Sequence, residues 1–133
     1  MRKRSLLDSF AVLAWVQNEQ GADRVEALLT QAQRRRTPLF LNVINLGEVY
    51  YRLARHHGHP TAREIIRQLE VLPLQLYPCD QVLALEAAKI KADYPIAYAD
   101  AIAVATALKE SAIVVTGDPE FRQVEHLVTI DWL

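Results

Sequence analysis

The sequence predicts an α/β fold: a single three-layer α/β/α domain, residues 1–133, built around a central, mainly parallel sheet. Three observations carry that prediction. Short β-prone runs alternate with longer segments of helical periodicity along the chain, the order that generates strand–helix–strand units. The run Ile113-Val114-Val115-Thr116 is apolar on both faces, as befits a strand covered by helices on each side. The chain has 133 residues, 51% of them hydrophobic, which suffices for one buried core and fits the size of one domain.

Taken in order, Ser5-Leu6-Leu7 reads as a first strand. Phe10, Val12, Leu13 and Trp15 then give a helical pattern ended by Gly21. Ala22 to Gln33 repeats apolar residues at Val25, Leu28, Leu29 and Ala32, forming a second amphipathic helix closed by Arg34-Arg35-Arg36 and Pro38. Leu39 to Val43 is β-prone and leads into a helix through Tyr50 and Leu53 to about His57, with Gly58 in the C-cap position. Thr61 is expected to cap a helix carrying Ile65, Ile66 and Leu69, which Pro73 stops. Leu74 to Tyr77 is a short strand, and Asp80 starts the helix containing Val82, Leu85, Ala88 and Ile90. Ala99 to Leu108 is an almost wholly apolar helix, Ile113 to Thr116 a buried strand, and Val128 to Trp132 a last one. No repeat or linker interrupts this alternation.

Charge and cysteine content narrow the function classes. The formal net charge of −1 supplies no overall positive field for nucleic acid, so any RNA affinity has to come from local patches or bound cations. The lone Cys79 cannot form an internal disulfide, which fits a reducing cytoplasm, and it reads as a packed or surface thiol. Met1-Arg2-Lys3-Arg4 is basic like the start of a signal peptide, but Asp8 breaks the apolar stretch and no cleavage site follows. No apolar run reaches the roughly 18 residues that cross a bilayer. The expectation is a cytoplasmic protein without a membrane partner.

Four carboxylates stand where the pattern places strand ends or buried helix faces. Asp8 follows the first strand directly, and it reads equally as a helix N-cap or a site acid. Glu48 shares a helix face with Ile44 and Tyr51; it is either salt-bridged to Arg52 or Arg55 or catalytic. Asp100 is surrounded by Ala99, Ala101, Ile102, Ala103, Val104 and Ala105, with no basic residue before Lys109, so it caps its helix or holds a cation, the latter favoured. Asp118 ends a strand that turns at Gly117, an ordinary Gly-Asp turn if taken alone, with the Thr116 hydroxyl aimed into the same region. In an open parallel sheet these positions converge at the carboxyl ends of the strands. Such a cluster repels itself unless protons or metal ions compensate it. Hard oxygen donors without His or Cys favour Mg²⁺ or Mn²⁺. Because Mg²⁺ is commonly held by few carboxylates plus substrate phosphate, the sparse cage implies a phosphate-containing substrate, and bound metal could activate water against a phosphodiester.

The stretches Leu7-Asp8-Ser9-Phe10-Ala11, Asn45-Leu46-Gly47-Glu48-Val49, Tyr98-Ala99-Asp100-Ala101 and Val115-Thr116-Gly117-Asp118 resemble, in order and spacing, the acidic motifs of PIN-domain nucleases. The resemblance runs nearly end to end and implies a PIN-like parallel sheet whose acids bind Mg²⁺ or Mn²⁺ for RNA hydrolysis. Carried over by position, Asp8, Glu48 and Asp100 are the main catalytic and metal-site acids, Asp118 is the fourth and more variable one, and Thr116 is a supporting hydroxyl. Small stand-alone members similar to this chain are mostly VapC-type toxins of type II toxin–antitoxin systems. That likeness implies an endoribonuclease acting on RNA, a homodimer, and a cognate antitoxin protein that occupies the acidic groove.

Other features stay outside this reading. His56, His57 and His59 read as a solvated helix end. Arg34 to Arg36 with Arg2, Lys3 and Arg4, and likewise Lys89 and Lys91, are RNA-phosphate contacts or simply solvated charge. Trp15, Tyr50 and Tyr51 fit core or dimer packing better than base stacking. A haloacid-dehalogenase-like phosphatase would place a second aspartate two residues after Asp8, where Phe10 stands. The remaining alternative is a non-catalytic Mg²⁺-binding phosphoacceptor or RNA-binding interaction module.

Overall fold

The computed structural model describes residues 3–133; Arg2, grouped above with the basic residues, lies outside the described residues. The sheet has five strands, β1 (Ser5–Leu7), β2 (Leu39–Asn42), β3 (Leu74–Tyr77), β4 (Ile113–Thr116) and β5 (Ile130–Trp132), in the order β3-β2-β1-β4-β5. Every neighbouring pair is parallel, as the alternating pattern predicts. Six α-helices connect them: α1 (Ser9–Val16), α2 (Ala22–Arg35), α3 (Val43–His57), α4 (His59–Glu70), α5 (Gln81–Asp93) and α6 (Tyr98–Glu110). Among the described residues no helix is long and apolar enough to cross a membrane.

Strand alternation builds the three layers. Leu6, Phe40 and Val114 pack with α5 and α6 on one face of the sheet. Leu7, Leu39, Leu41 and Val115 pack with α1, α2, α3 and α4 on the other. Successive strand residues point to opposite faces, so each short strand feeds both cores. The chain leaves β1 toward β2 on one side and returns to β4 on the other, so the crevice lies between the carboxyl ends of β1 and β4, where open α/β sheets place their ligands.

Some local expectations change. Gly21 does not end α1, which stops at Val16; it starts α2 in the left-handed conformation, φ 95°. A side chain there would lie 2.8 Å from Leu133 Cβ, so the position demands glycine twice over. α2 continues past Gln33 to Arg35, and Arg36, φ 53°, forms its left-handed cap. Thr61 is not a cap. Gly58, φ 86°, both closes α3 and opens α4 at His59, and Pro60 sits in the first turn, where a missing N–H costs nothing. α6 starts at Tyr98 and runs to Glu110, beyond the expected Leu108. The last strand is shorter than Val128 to Trp132, because Pro119–Val124 forms an unforeseen 3-10 helix that buries Phe121 and Val124 against α6.

Candidate active site

Each site acid is placed by the local chemistry of a strand end or a helix start. Asp8 leaves β1 in extended conformation and caps α1, its Oδ1 accepting the Ala11 N–H at 2.8 Å. Its Oδ2 accepts the Thr116 hydroxyl at 2.5 Å, and Thr116 Oγ1 in turn accepts the Asp118 N–H at 3.0 Å. The predicted cap and the predicted supporting hydroxyl are thus parts of one network spanning β1 and β4. Asp118 caps the 3-10 helix through Glu120 N–H at 2.9 Å. Between Thr116 and Asp118 the backbone passes under the Phe10 ring so closely that a Cβ on Gly117 would lie 2.5 Å from it.

Glu48 lies on α3, buried, with both oxygens engaged. Oε1 accepts the Ser9 hydroxyl at 2.7 Å, and Oε2 takes Arg52 Nε at 3.1 Å and Nη2 at 2.9 Å. The ion pair to Arg52 anticipated as the structural explanation of Glu48 therefore exists, but at the wall of the cleft. Asn45, one turn earlier, donates Nδ2 to the Ala99 carbonyl at 3.2 Å and ties α3 to the start of α6. Its Oδ1 is buried without a hydrogen-bond partner.

Asp100 sits in the first turn of α6 and is 6% exposed. It does not cap the helix: Ala97 holds the N-cap position without a side-chain bond. Among the described residues Asp100 has no hydrogen bond or ion pair through its side chain, so the capping reading falls. Its pKa is pushed up to about 8, by burial first and then by the charges of Asp118, Asp8, Glu120 and Glu48. Asp8 is raised to about 7, again chiefly by burial, against the opposing hydrogen bonds from Thr116 and Ala11.

Glu48, Asp100 and Asp118 line one cleft of about 400 Å³, and Asp8 lies just beneath its wall, 1% exposed. Glu120, not anticipated from the sequence, joins them: carboxylate oxygens of Asp100, Asp118 and Glu120 all lie within 4.8 Å of one another. Its only sequence signal is its place two residues after Asp118, inside the unforeseen 3-10 helix. The all-oxygen donors, their mutual repulsion and the unpaired Asp100 fit a hard divalent cation.

Apart from Arg52, the basic residues singled out from the sequence lie elsewhere. Arg4 precedes β1, where it donates to the Pro38 carbonyl and to Gln75 Oε1 and stacks on Phe40. Arg34 to Arg36 end α2 just before β2, so both groups sit at the amino ends of the strands, away from the acids. Lys89 pairs with Glu86, and Lys91 reaches the Ile96 carbonyl. His59 meets the Tyr50 hydroxyl and Trp15 meets Glu26.

An all-parallel sheet with an acidic cleft at its switch point defines a structural class, the open α/β domains with a site at the strand ends. Within that class the match is specific: the PIN domain family model covers residues 5–127, and the chain belongs to the PIN-domain family. Solved structures share the fold. The DNA-bound VapBC complex of Salmonella typhimurium superposes with a TM-score of 0.74 at 14% identity, over 98% of each chain. FitAcB of Neisseria gonorrhoeae gives 0.68 at 24% identity, over 95% of each chain. Mycobacterium tuberculosis VapC20, described as a toxin that cleaves the sarcin-ricin loop, gives 0.69 at 14% identity, over 90% of this chain and 94% of that one. A comparison with curated protein sequences finds no match.

Proposed function

We propose that this chain is a divalent-cation-dependent endoribonuclease and the toxin of a type II toxin–antitoxin pair, with residues 1–133 acting as one PIN domain. The observation that carries this reading is an unpaired, buried Asp100 facing Asp118 and Glu120 across a cleft at the carboxyl ends of a parallel sheet. Asp100, Asp118 and Glu120 would hold Mg²⁺ or Mn²⁺, with Asp8 and Glu48 completing the acidic surround. Bound there, such an ion lowers the pKa of a water and polarises a phosphoryl oxygen.

The chain's own groups prepare that chemistry. Thr116 fixes the orientation of the Asp8 carboxylate and steadies the Asp118 turn through the same hydroxyl. Ser9 and Arg52 hold Glu48 at the cleft wall. Burial leaves Asp8 and Asp100 holding protons close to neutral pH, so cation binding releases protons and tightens as pH rises.

RNA as substrate draws support from the toxin described as cleaving the sarcin-ricin loop, and a cognate antitoxin from the relatives solved as VapBC complexes. A homodimer is supported by the apolar side chains that α5 and the start of α6 leave exposed, Val82, Leu85 and Tyr98. An RNA substrate places the activity in the cytoplasm.

The test is a gel assay of end-labelled structured RNAs with Mg²⁺ or Mn²⁺, beside a chelator and the Asp100→Asn variant. Internal cuts that need the metal and disappear in the variant are expected. Identical behaviour of wild type and variant on every RNA would contradict the nuclease and favour a non-catalytic RNA- or Mg²⁺-binding module.

A further inference from the structure

One cationic side chain lines the acidic cleft among the described residues, Arg52. Its guanidinium is committed to a single oxygen, Glu48 Oε2, through Nη2 at 2.9 Å and Nε at 3.1 Å. Ser9 donates to the other oxygen, so each Glu48 oxygen has a hydrogen-bond partner while Asp100 has none among the described residues. The two partners differ in freedom: the Glu48 side chain is 11% exposed and confined, the Arg52 side chain 55% exposed and able to swing without disturbing α3. A guanidinium and a divalent ion compete for Oε2, because both are cationic and the two Arg52 N–H groups already take its lone pairs.

We infer that Arg52 is a resident counter-cation for Glu48, which a divalent ion binding Glu48 Oε2 must displace, and that the released guanidinium is the group in the cleft that meets a substrate phosphate. The second half rests on the nuclease reading; the first does not. A polyanion entering this cleft passes Glu19, Glu48, Asp100, Asp118 and Glu120 and needs positive charge beyond that of the metal. Arginine's planar fork suits phosphate as well as carboxylate, and the i,i+4 spacing keeps the freed head within one helical turn of Glu48. The exchange would couple the two events: once Glu48 Oε2 is taken, the Arg52 guanidinium is free for the RNA backbone.

Calorimetric titration of Mn²⁺ into wild type, Arg52→Gln and Arg52→Lys tests the displacement, with Arg55→Gln reporting the effect of removing any positive charge from the same helix. Arg52→Gln is expected to bind Mn²⁺ about three- to fivefold tighter, Arg52→Lys to fall between, and Arg55→Gln to match wild type. Unchanged or weaker binding in Arg52→Gln, or an equal gain in Arg55→Gln, overturns the displacement. At saturating Mn²⁺, KM for a short single-stranded RNA is expected to rise about tenfold in Arg52→Gln, with kcat moving less, and to recover largely in Arg52→Lys. A wild-type KM in Arg52→Gln overturns the phosphate role. If no variant cuts RNA yet the Mn²⁺ pattern holds, the nuclease reading falls and the displacement stands.

Discussion

The two halves of the acidic cleft are built on opposite plans. On the β1 side Asp8 and Glu48 have all their oxygens met by Ala11, Thr116, Ser9 and Arg52. On the α6 side Asp100 faces Asp118 and Glu120 with no side-chain partner among the described residues. The difference separates support from function. A bonded carboxylate stabilises the fold it caps, whereas a bare one strains the empty fold and gains a partner only when something cationic arrives.

Substitutions in the two halves should therefore agree in activity and disagree in stability. Asp100→Asn and Asp8→Ala are both expected to lower RNA cleavage by at least about 100-fold. In chelator at pH 8, Asp100→Asn should melt higher than wild type, because it removes buried like-charge repulsion. At pH 5, where the buried Asp8 carboxyl keeps its proton and carries no charge cost, Asp8→Ala should melt lower, by about 1 kcal/mol or more of stability, because a helix cap and the Thr116 bond are lost. Thermal melts of the two variants check this; shifts of the same sign would erase the distinction.

Thr116→Val probes the bonded half more gently. It strips the hydroxyl from Asp8 Oδ2 and from the Asp118 N–H, and cleavage should fall about tenfold, measured as kcat/KM, while Mn²⁺ still binds.

The pH dependence of the metal-free protein sharpens the comparison next. Folding raises Asp8 from 3.8 to about 7 and Asp100 from 3.8 to about 8, so between these values the folded protein binds more protons than the unfolded chain. Their contribution therefore lowers stability as pH climbs from about 4 to about 8. In chelator, Tm should drop by at least about 5 °C from pH 5 to pH 8, and Mg²⁺ or Mn²⁺ should restore it at pH 8. A chelated protein with a level profile would show that the acids carry no such strain.

Much of the fold was legible because its signals are local. Leu6 and Leu7 alternate, Ile113 to Val115 are continuously apolar, and Asp80 and Gly58 mark helix ends where their side chains or φ angles require them. Thr61 misled because a good cap residue three positions away lost to Gly58, whose positive φ can terminate one helix and start the next. The 3-10 helix escaped because six residues containing Pro119 show no period, and Glu120 escaped with it. Asp100 was recognisable as a polar residue in an apolar helix. The double role of Glu48, paired to Arg52 and facing the cleft, depends on how α3 sits against α1, which no spacing along one helix encodes.

The bare half of the cleft is expected to hold a divalent cation. Calorimetric titration of Mn²⁺ at pH 8 into wild type, Asp100→Asn and Asp131→Asn tests it most directly, Asp131 being an acid paired to Arg24 on β5. Binding to wild type and to Asp131→Asn, weakened at least about tenfold in Asp100→Asn, is the result predicted. Equal binding in all three proteins would place the cation elsewhere and contradict the claim.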